Sequence, residues 1–290
     1  MKLELLTLRD KILDWCSNNK TGKEQLIILS AGDDSASEIY MKNKVATGER
    51  LGIKTLHIRC SSQEELLNKI KYYNDDEETS GIIVQLPLPK EYDEQVAINM
   101  INPNKDVDML TKTNKAIMFL GETKLLPATA SGIMYTLDHF YGLENLKGKD
   151  VLLIGRSDLV NIPLQKALRD LNCTVQLAHS YTKELAKKCR NSNIIVTASG
   201  QHGLINTSCI SDKVELILDV SINRVDGKIK GDVTDKVYDL TTVTANPRGL
   251  GSLTVPMLFK NLIFPSTLLI ETSNINSTLS LIHVVLISPC

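Results

Sequence analysis

The chain has almost no net charge: 33 Lys+Arg stand against 34 Asp+Glu, a formal balance of -1 over 290 residues. That removes any overall electrostatic reason to bind nucleic acid or an anionic membrane, although a small charged ligand can still be held locally. Cysteine is sparse and unpatterned. Cys16, Cys60, Cys173, Cys189, Cys209 and Cys290 form no C-x-x-C pair, so neither a disulfide framework nor a metal site is expected, and the six read as reduced thiols, mostly core filler. Long apolar runs are missing too. A membrane span needs roughly 18 consecutive apolar residues, whereas the longest candidate, residues 281–287, is interrupted by His283 and reads as a buried strand or helix. The first residues, MKLELLTLRDKILDW, mix charges into their apolar positions, so cytoplasmic residence is expected rather than secretion.

What is present is the composition of a globular chain, 42% hydrophobic and 23% charged, long enough for one large or two ordinary domains. Short β-branched runs alternate with amphipathic stretches: residues 25–30 (QLIILS), 55–59 (TLHIR), 81–86 (GIIVQL), 151–154 (VLLI), 174–178 (TVQLA), 193–198 (NIIVTA) and 215–220 (ELILDV). This alternation predicts parallel βαβ units, with helices covering the sheets. A helical stretch near residues 130–141 separates the first three runs from the last four. Two α/β domains follow, 1–120 and 121–254, with a possible return of 255–290 to the first.

In the second half, GKDVLLIGRSDLVNIPLQKALRDLNCTVQLAHS reads strand, tight turn at Gly155, helix, strand. Such a turn aims a helix N-terminus and backbone N–H groups at a phosphate. Only one glycine of the dinucleotide fingerprint is present, so an ordinary βα turn is the plain alternative. The second strand ends in His179-Ser180, without an acid for a ribose hydroxyl pair, while Arg156 offers a cation nearby. That pairing suits the extra phosphate of NADP better than NAD.

In the first half, Ser35 with Glu38 three residues on is a capping-box pattern that starts a helix. Tyr40 and Lys44 then share one helical face. A partly desolvated lysine loses its charge easily, and a phenol beside it can hold or pass a proton; a solvated helix face is the simpler reading of the pair alone. In GIIVQLPLP a buried strand ends in Gln85 and runs into Pro87 and Pro89, leaving the amide at the strand's C-terminal edge, where open α/β sheets bind ligands. In INPNKDVDML, Lys105, Asp106 and Asp108 fall just after a helical stretch. They suit a surface loop, or a carboxylate able to grip a nitrogen-rich heterocycle.

Taken in order, GDDSASEIYMKNK, GIIVQLPLP, NPNKDVDM, LPATASGIMYTL, GKDVLLIGRSDLVNIP, HSYT and DVSINRVDGKIKGDV resemble the bifunctional methylenetetrahydrofolate dehydrogenase/methenyltetrahydrofolate cyclohydrolase family over roughly residues 1–260. The resemblance implies an N-terminal three-layer α/β folate domain, a C-terminal Rossmann-like NADP domain, a cleft between them and a cytoplasmic homodimer that supplies one-carbon units to purine biosynthesis. It implies Lys44 as the acid/base, Tyr40 stacked on the pterin, Gln85 bonded to Lys44, and Asp108 on the amino-pyrimidine edge. Gly155, Arg156, Ser157 and Ser180 would contact NADP, with Ile222 near the nicotinamide.

The chain departs from the family pattern at several places. KDVDG reads KDVDM, PCT reads PAT at residues 127–129, the glycine of GRS-x-x-VG-x-P is Asn161, and DVGIN reads DVSIN at Ser221. The family's TPVPGGVGPMT reads TANPRGLGSLT, which puts Arg248 and Ser252 in a loop that approaches both ligands, so a dehydrogenase weaker than the cyclohydrolase is expected. After Lys260 no closing amphipathic helix is expected, because Pro265 would break it. A cyclohydrolase alone, or a folate- or nucleotide-binding protein with reduced catalysis, are the competing functions.

Overall fold

The computed structural model describes residues 1–32, 35–123 and 125–264. Among them the chain forms, in order, β1 (Lys2–Leu3), α1 (Leu6–Asn19), β2 (Gln25–Ala31), α2 (Ser35–Leu51), β3 (Lys54–Cys60), α3 (Gln63–Asp75), β4 (Gly81–Val84), α4 (Glu94–Met100), α5 (Lys112–Leu120) and α6 (Ala128–Tyr141). Then come β5 (Asp150–Ile154), α7 (Asn161–Asp170), β6 (Thr174–Ala178), α8 (Leu185–Arg190), β7 (Ile194–Thr197), β8 (Leu216–Asp219), β9 (Asn223–Val225), β10 (Lys228–Lys230), β11 (Thr242–Thr244) and α9 (Gly251–Ile263). All seven strands predicted from the apolar runs are present, and the chain divides into two compact units.

One unit comprises Lys11–Ala128 and residues 255–264. Its three-stranded parallel sheet runs β3-β2-β4. Every residue of β2 and β4 is buried, which accounts for their unbroken apolar sequences, whereas β3, at the opposite edge from β4, leaves Leu56 exposed. Ile27, Leu29, Ile82 and Val84 pack on Leu66 and Ile70 of α3 and Ala97 of α4. Ser62 caps α3 by accepting from the Glu65 N–H at 3.1 Å.

The other unit comprises Met1–Asp10 and Thr129–Thr254. Its six-stranded sheet runs β1-β11-β8-β7-β5-β6 and is parallel throughout. Because β5 has β6 on one side and β7 on the other, the strand order reverses there, and the carboxyl ends of β5 and β7 diverge into a ligand-binding crevice. A separate antiparallel hairpin, β9 with β10, turns at Asp226 and Gly227, whose φ angles of 50° and 72° are those of a type I′ turn.

The helix expected to begin at Ser35 is present as α2; the Glu38 carboxylate pairs with Arg59 of β3 at 2.9 Å, and the capping contact expected of Ser35 falls on a side chain outside the described residues. Helix α9 runs three residues past Lys260, whose Nζ sits 4.7 Å from the Trp15 ring centre, and Phe264 stacks on Trp15 at 4.9 Å. Pro265, the 281–287 run and Cys290 lie outside the described residues; the other five cysteines are buried free thiols.

Candidate active site

In the first unit, α2 follows β2 and carries Tyr40 and Lys44 on one face. Lys44 is buried, and its Nζ donates to Gln85 Oε1 at 3.0 Å. The Gln85 amide is oriented for this by its own Nε2, which donates to the Leu86 carbonyl at 2.8 Å. Burial pulls the Lys44 pKa below the ordinary lysine range, and the Asp108 carboxylate opposes that pull. Asp108 is raised by desolvation, with Lys44 acting the other way. Tyr40, half-buried, is raised by burial. The result is a buried amine held by an amide, with a carboxyl acting on it electrostatically and a phenol on the same helix face, each displaced toward its neutral form.

The three charged residues of KDVD separate cleanly. Lys105 donates to the carbonyls of Tyr73, Asn74 and Asp76 at 2.7–2.9 Å and so closes the end of α3. Asp106, buried, accepts from the N–H groups of Leu110 and Thr111 and from Asn114 at 2.8–3.1 Å, fixing the loop into α5. Only Asp108 faces Lys44. Met109, where the family has glycine, keeps a left-handed φ of 59°.

In the second unit, a cavity of about 470 Å³ lies at the carboxyl ends of β5, β6 and β7. Gly155, Arg156 and Ser180 line it together with His179, Ser199 and Gln201. Ser199 and Gln201, on the loop after β7, were not singled out from sequence; their position beyond a buried strand end was the available signal. Gly155 has φ 120°, and a Cβ there would stand 2.8 Å from both the Ala198 carbonyl oxygen and Asn161 Oδ1, so only glycine fits. Ser157 lies in the same turn, accepting the Leu159 N–H on its hydroxyl at 3.2 Å. Ile222 is half-exposed on the loop after β8.

These residues fit an anionic dinucleotide. Helix α7 starts without a side-chain cap, the Asn161 amide behind Gly155 is buried with neither atom hydrogen-bonded, and no carboxylate stands at the end of β6. Arg156 and Ser180 supply a cation and a hydroxyl on the same wall.

Arg248 does not intrude on this site. Its φ of 76° preserves the left-handed backbone that a glycine would take, its side chain is exposed, and its guanidinium pairs with Glu4 at 3.5 Å. The expected disturbance of the loop by a long side chain is therefore corrected: the arginine is directed to the surface of its own unit.

A buried acid/base cluster on one α/β unit and a nucleotide crevice on another define a two-domain, dinucleotide-linked enzyme class. Family models match in both parts: the tetrahydrofolate dehydrogenase/cyclohydrolase catalytic domain over residues 6–108 and its NAD(P)-binding domain over residues 127–267. The chain belongs to the tetrahydrofolate dehydrogenase/cyclohydrolase family. It is 38% identical over 241 residues to the bifunctional protein FolD of Streptococcus equi subsp. zooepidemicus, covering 81% of this chain and 84% of that one. Among solved structures, the bifunctional dehydrogenase/cyclohydrolase FolD of Campylobacter jejuni is 33% identical with a TM-score of 0.85, over 91% of this chain and 97% of that one. The Trypanosoma brucei enzyme, solved with NADP and an inhibitor, is 26% identical with a TM-score of 0.83, over 96% and 99%.

Proposed function

We propose that the chain oxidises methylenetetrahydrofolate to methenyltetrahydrofolate with NADP and hydrolyses the product to formyltetrahydrofolate. The observation that carries this reading is the Lys44–Gln85 hydrogen bond beside Asp108, a buried amine held ready for proton transfer. NADP, when bound, supplies the acceptor for the hydride leaving the methylene carbon. Arg156, Ser157, Ser180 and the start of α7 would hold it, with Ile222 toward the nicotinamide.

For hydrolysis, water adds to the cationic methenyl carbon and must lose a proton. Neutral Lys44 takes that proton, becoming an ammonium, and the Gln85 oxygen holds the amine in line throughout. The hydroxyl adduct then opens to the formyl group as one C–N bond breaks and its nitrogen takes a proton. A neutral lysine also avoids repulsion from a cationic substrate, which a fully charged one would not. Asp108 holds the pterin's amino-pyrimidine edge, where its negative charge also steadies the ammonium once formed. Tyr40 covers the pterin face. Of the two domains expected from sequence, 1–120 and 121–254, the first takes the folate role and the second the nucleotide role, with residues 1–10 and 121–128 exchanged between them in the compact units.

The reading extends to a cytoplasmic homodimer in one-carbon supply for purine biosynthesis, supported by the family membership and by a net charge of -1 that favours neither nucleic acid nor anionic membrane. No helix among the described residues is long and apolar enough to cross a membrane. Absorbance of the purified protein with methylenetetrahydrofolate and NADP, then with NAD, tests the function. Growth and decay of the methenyl chromophore with NADP is the expected result; no chromophore with either dinucleotide would reject the dehydrogenase.

A further inference from the structure

Asp232, just past β10, is fully buried and is surrounded by protein donors. Its Oδ2 accepts from Thr197 Oγ1 at 2.6 Å, Ser199 Oγ at 2.7 Å, the Ser199 N–H at 3.0 Å and Ser221 Oγ at 2.7 Å. Its Oδ1 accepts from the Gln201 N–H at 2.7 Å and Asn223 Nδ2 at 3.3 Å. Two of these donor residues, Ser199 and Gln201, line the nucleotide cavity.

Ser221 stands where the family pattern has glycine, and its side chain does two things a glycine cannot. Besides donating to Asp232, its hydroxyl accepts from the Gly200 N–H at 3.0 Å. The same residue is fixed at both ends: its N–H donates to Asp219 Oδ1 at 3.1 Å, and its carbonyl accepts from Asn246 Nδ2. One nearly buried serine therefore joins the loop after β7, the loop after β8 and the loop after β11.

We propose that Ser221, acting through Asp232 and Gly200, is a positioning residue for the dinucleotide: it clasps the loop after β7 to the loop after β8 and so sets the wall of the nucleotide cavity. Without the hydroxyl, Asp232 loses a donor and the Gly200 N–H loses its acceptor; Ser199 and Gln201 keep their bonds to Asp232, but Gly200 between them is no longer tied to the loop after β8 and the wall is held less tightly. A wall held in its bound position before the ligand arrives costs less ordering on binding, which appears as affinity. The wall serves the part of the ligand that NADP and NAD share, so the clasp acts on both alike. The inference rests on the dinucleotide reading of this crevice.

The test uses the full-length protein and the variants Ser221→Ala, Ser221→Gly and Ser221→Thr. Dissociation constants for NADP and NAD are measured by calorimetry, free-protein melting temperatures by scanning calorimetry, and exchange of the Gly200 amide by NMR. Ala and Gly are expected to weaken both dinucleotides by the same factor, about tenfold, as for loss of one hydrogen bond to a charged group. Thr, which keeps the hydroxyl, is expected to stay within about threefold of wild type, and the Gly200 amide to exchange faster only in Ala and Gly. Unchanged affinities in folded Ala and Gly variants overturn the proposal, whatever happens to their melting temperatures. A loss confined to NADP also overturns it, since the effect would then lie at the extra phosphate. Wild-type protein that binds neither dinucleotide removes the dinucleotide reading itself, a result distinct from either.

Discussion

The Nζ of Lys44 and the Oε1 of Gln85 meet at 3.0 Å across two elements 41 residues apart in sequence, one on α2 and the other just past β4. Parallel pairing of β2 with both β3 and β4 makes this contact possible, because it brings the start of α2 and the end of β4 to the same edge of the sheet. The lysine owes its lowered pKa to that burial, and the amide oxygen keeps its direction.

Removing the amine as Lys44→Met should lower cyclohydrolase turnover by a factor of about 10² to 10⁴, the usual cost of a positioned acid/base, while folate binding largely survives. Steady-state hydrolysis of the methenyl substrate together with a folate binding isotherm measures both. Wild-type-like hydrolysis would remove Lys44 from the chemistry.

The pH dependence follows from the directions of the shifts. In the proposed role Lys44 is a base in its neutral form, so cyclohydrolase turnover should rise with pH through a lysine pKa lying below the ordinary range. Asp108 is the charge that holds this pKa up against desolvation. Asp108→Asn should therefore move the acid limb of the kcat profile to lower pH, even as KM for the folate rises. A limb that stays in place, or moves to higher pH, would show that Asp108 does not act on Lys44.

Arg156 and Ser180 both line a cavity whose lining, among the described residues, holds no carboxylate, and the proposed function gives them the extra phosphate of NADP. Arg156→Ala should weaken NADP by roughly 1.5–3 kcal/mol, the value of a charge-assisted hydrogen bond, and scarcely affect NAD. Equal losses for the two dinucleotides, read by titration, would make Arg156 a structural residue only.

Arg248→Gly should leave the ratio of dehydrogenase to cyclohydrolase activity unchanged. The arginine side chain is exposed and paired with Glu4 within its own unit, and the φ of 76° is one that glycine adopts without strain. Relief of that strain is worth about 1 kcal/mol, while loss of an exposed ion pair costs about 0–1 kcal/mol, so the midpoint of denaturant unfolding should hold or rise slightly. A selective gain in hydride transfer would show that the side chain reaches the reacting groups after all.

The long strands were readable because each is a short apolar run closed by turn residues, and burial of β2, β4, β5, β7 and β8 is what produces such runs. Strands β1 and β11 were not, since two or three residues carry no period and their pairing, Lys2 with Val243, is set by tertiary structure. The β9–β10 hairpin has its signal in Asp226-Gly227, but its strands of three residues are too short to show a period of their own. Within the site, Tyr40, Lys44 and Gln85 stood out by motif, yet spacing alone could not separate Asp106 from Asp108. Their difference lies in which one the Leu110, Thr111 and Asn114 donors occupy. Likewise Ser221 reads as a simple loss of glycine in one dimension, and only its two hydrogen-bond partners reveal a gain.

The pairing of β1 with β11 has a consequence for how the chain is made. One sheet needs both residues 2–3 and residues 242–244, so it closes only after a loop of some 240 residues has been threaded between its partners. Residues 11–128, by contrast, contain every strand of their own sheet, so that sheet can pair while the ribosome is still adding the rest. The amine-bearing unit is nevertheless completed last of all, when residues 255–264 bring Lys260 and Phe264 onto Trp15. A fragment cut before residue 242 would retain a sheet with an open edge at β8, a template for association with other chains.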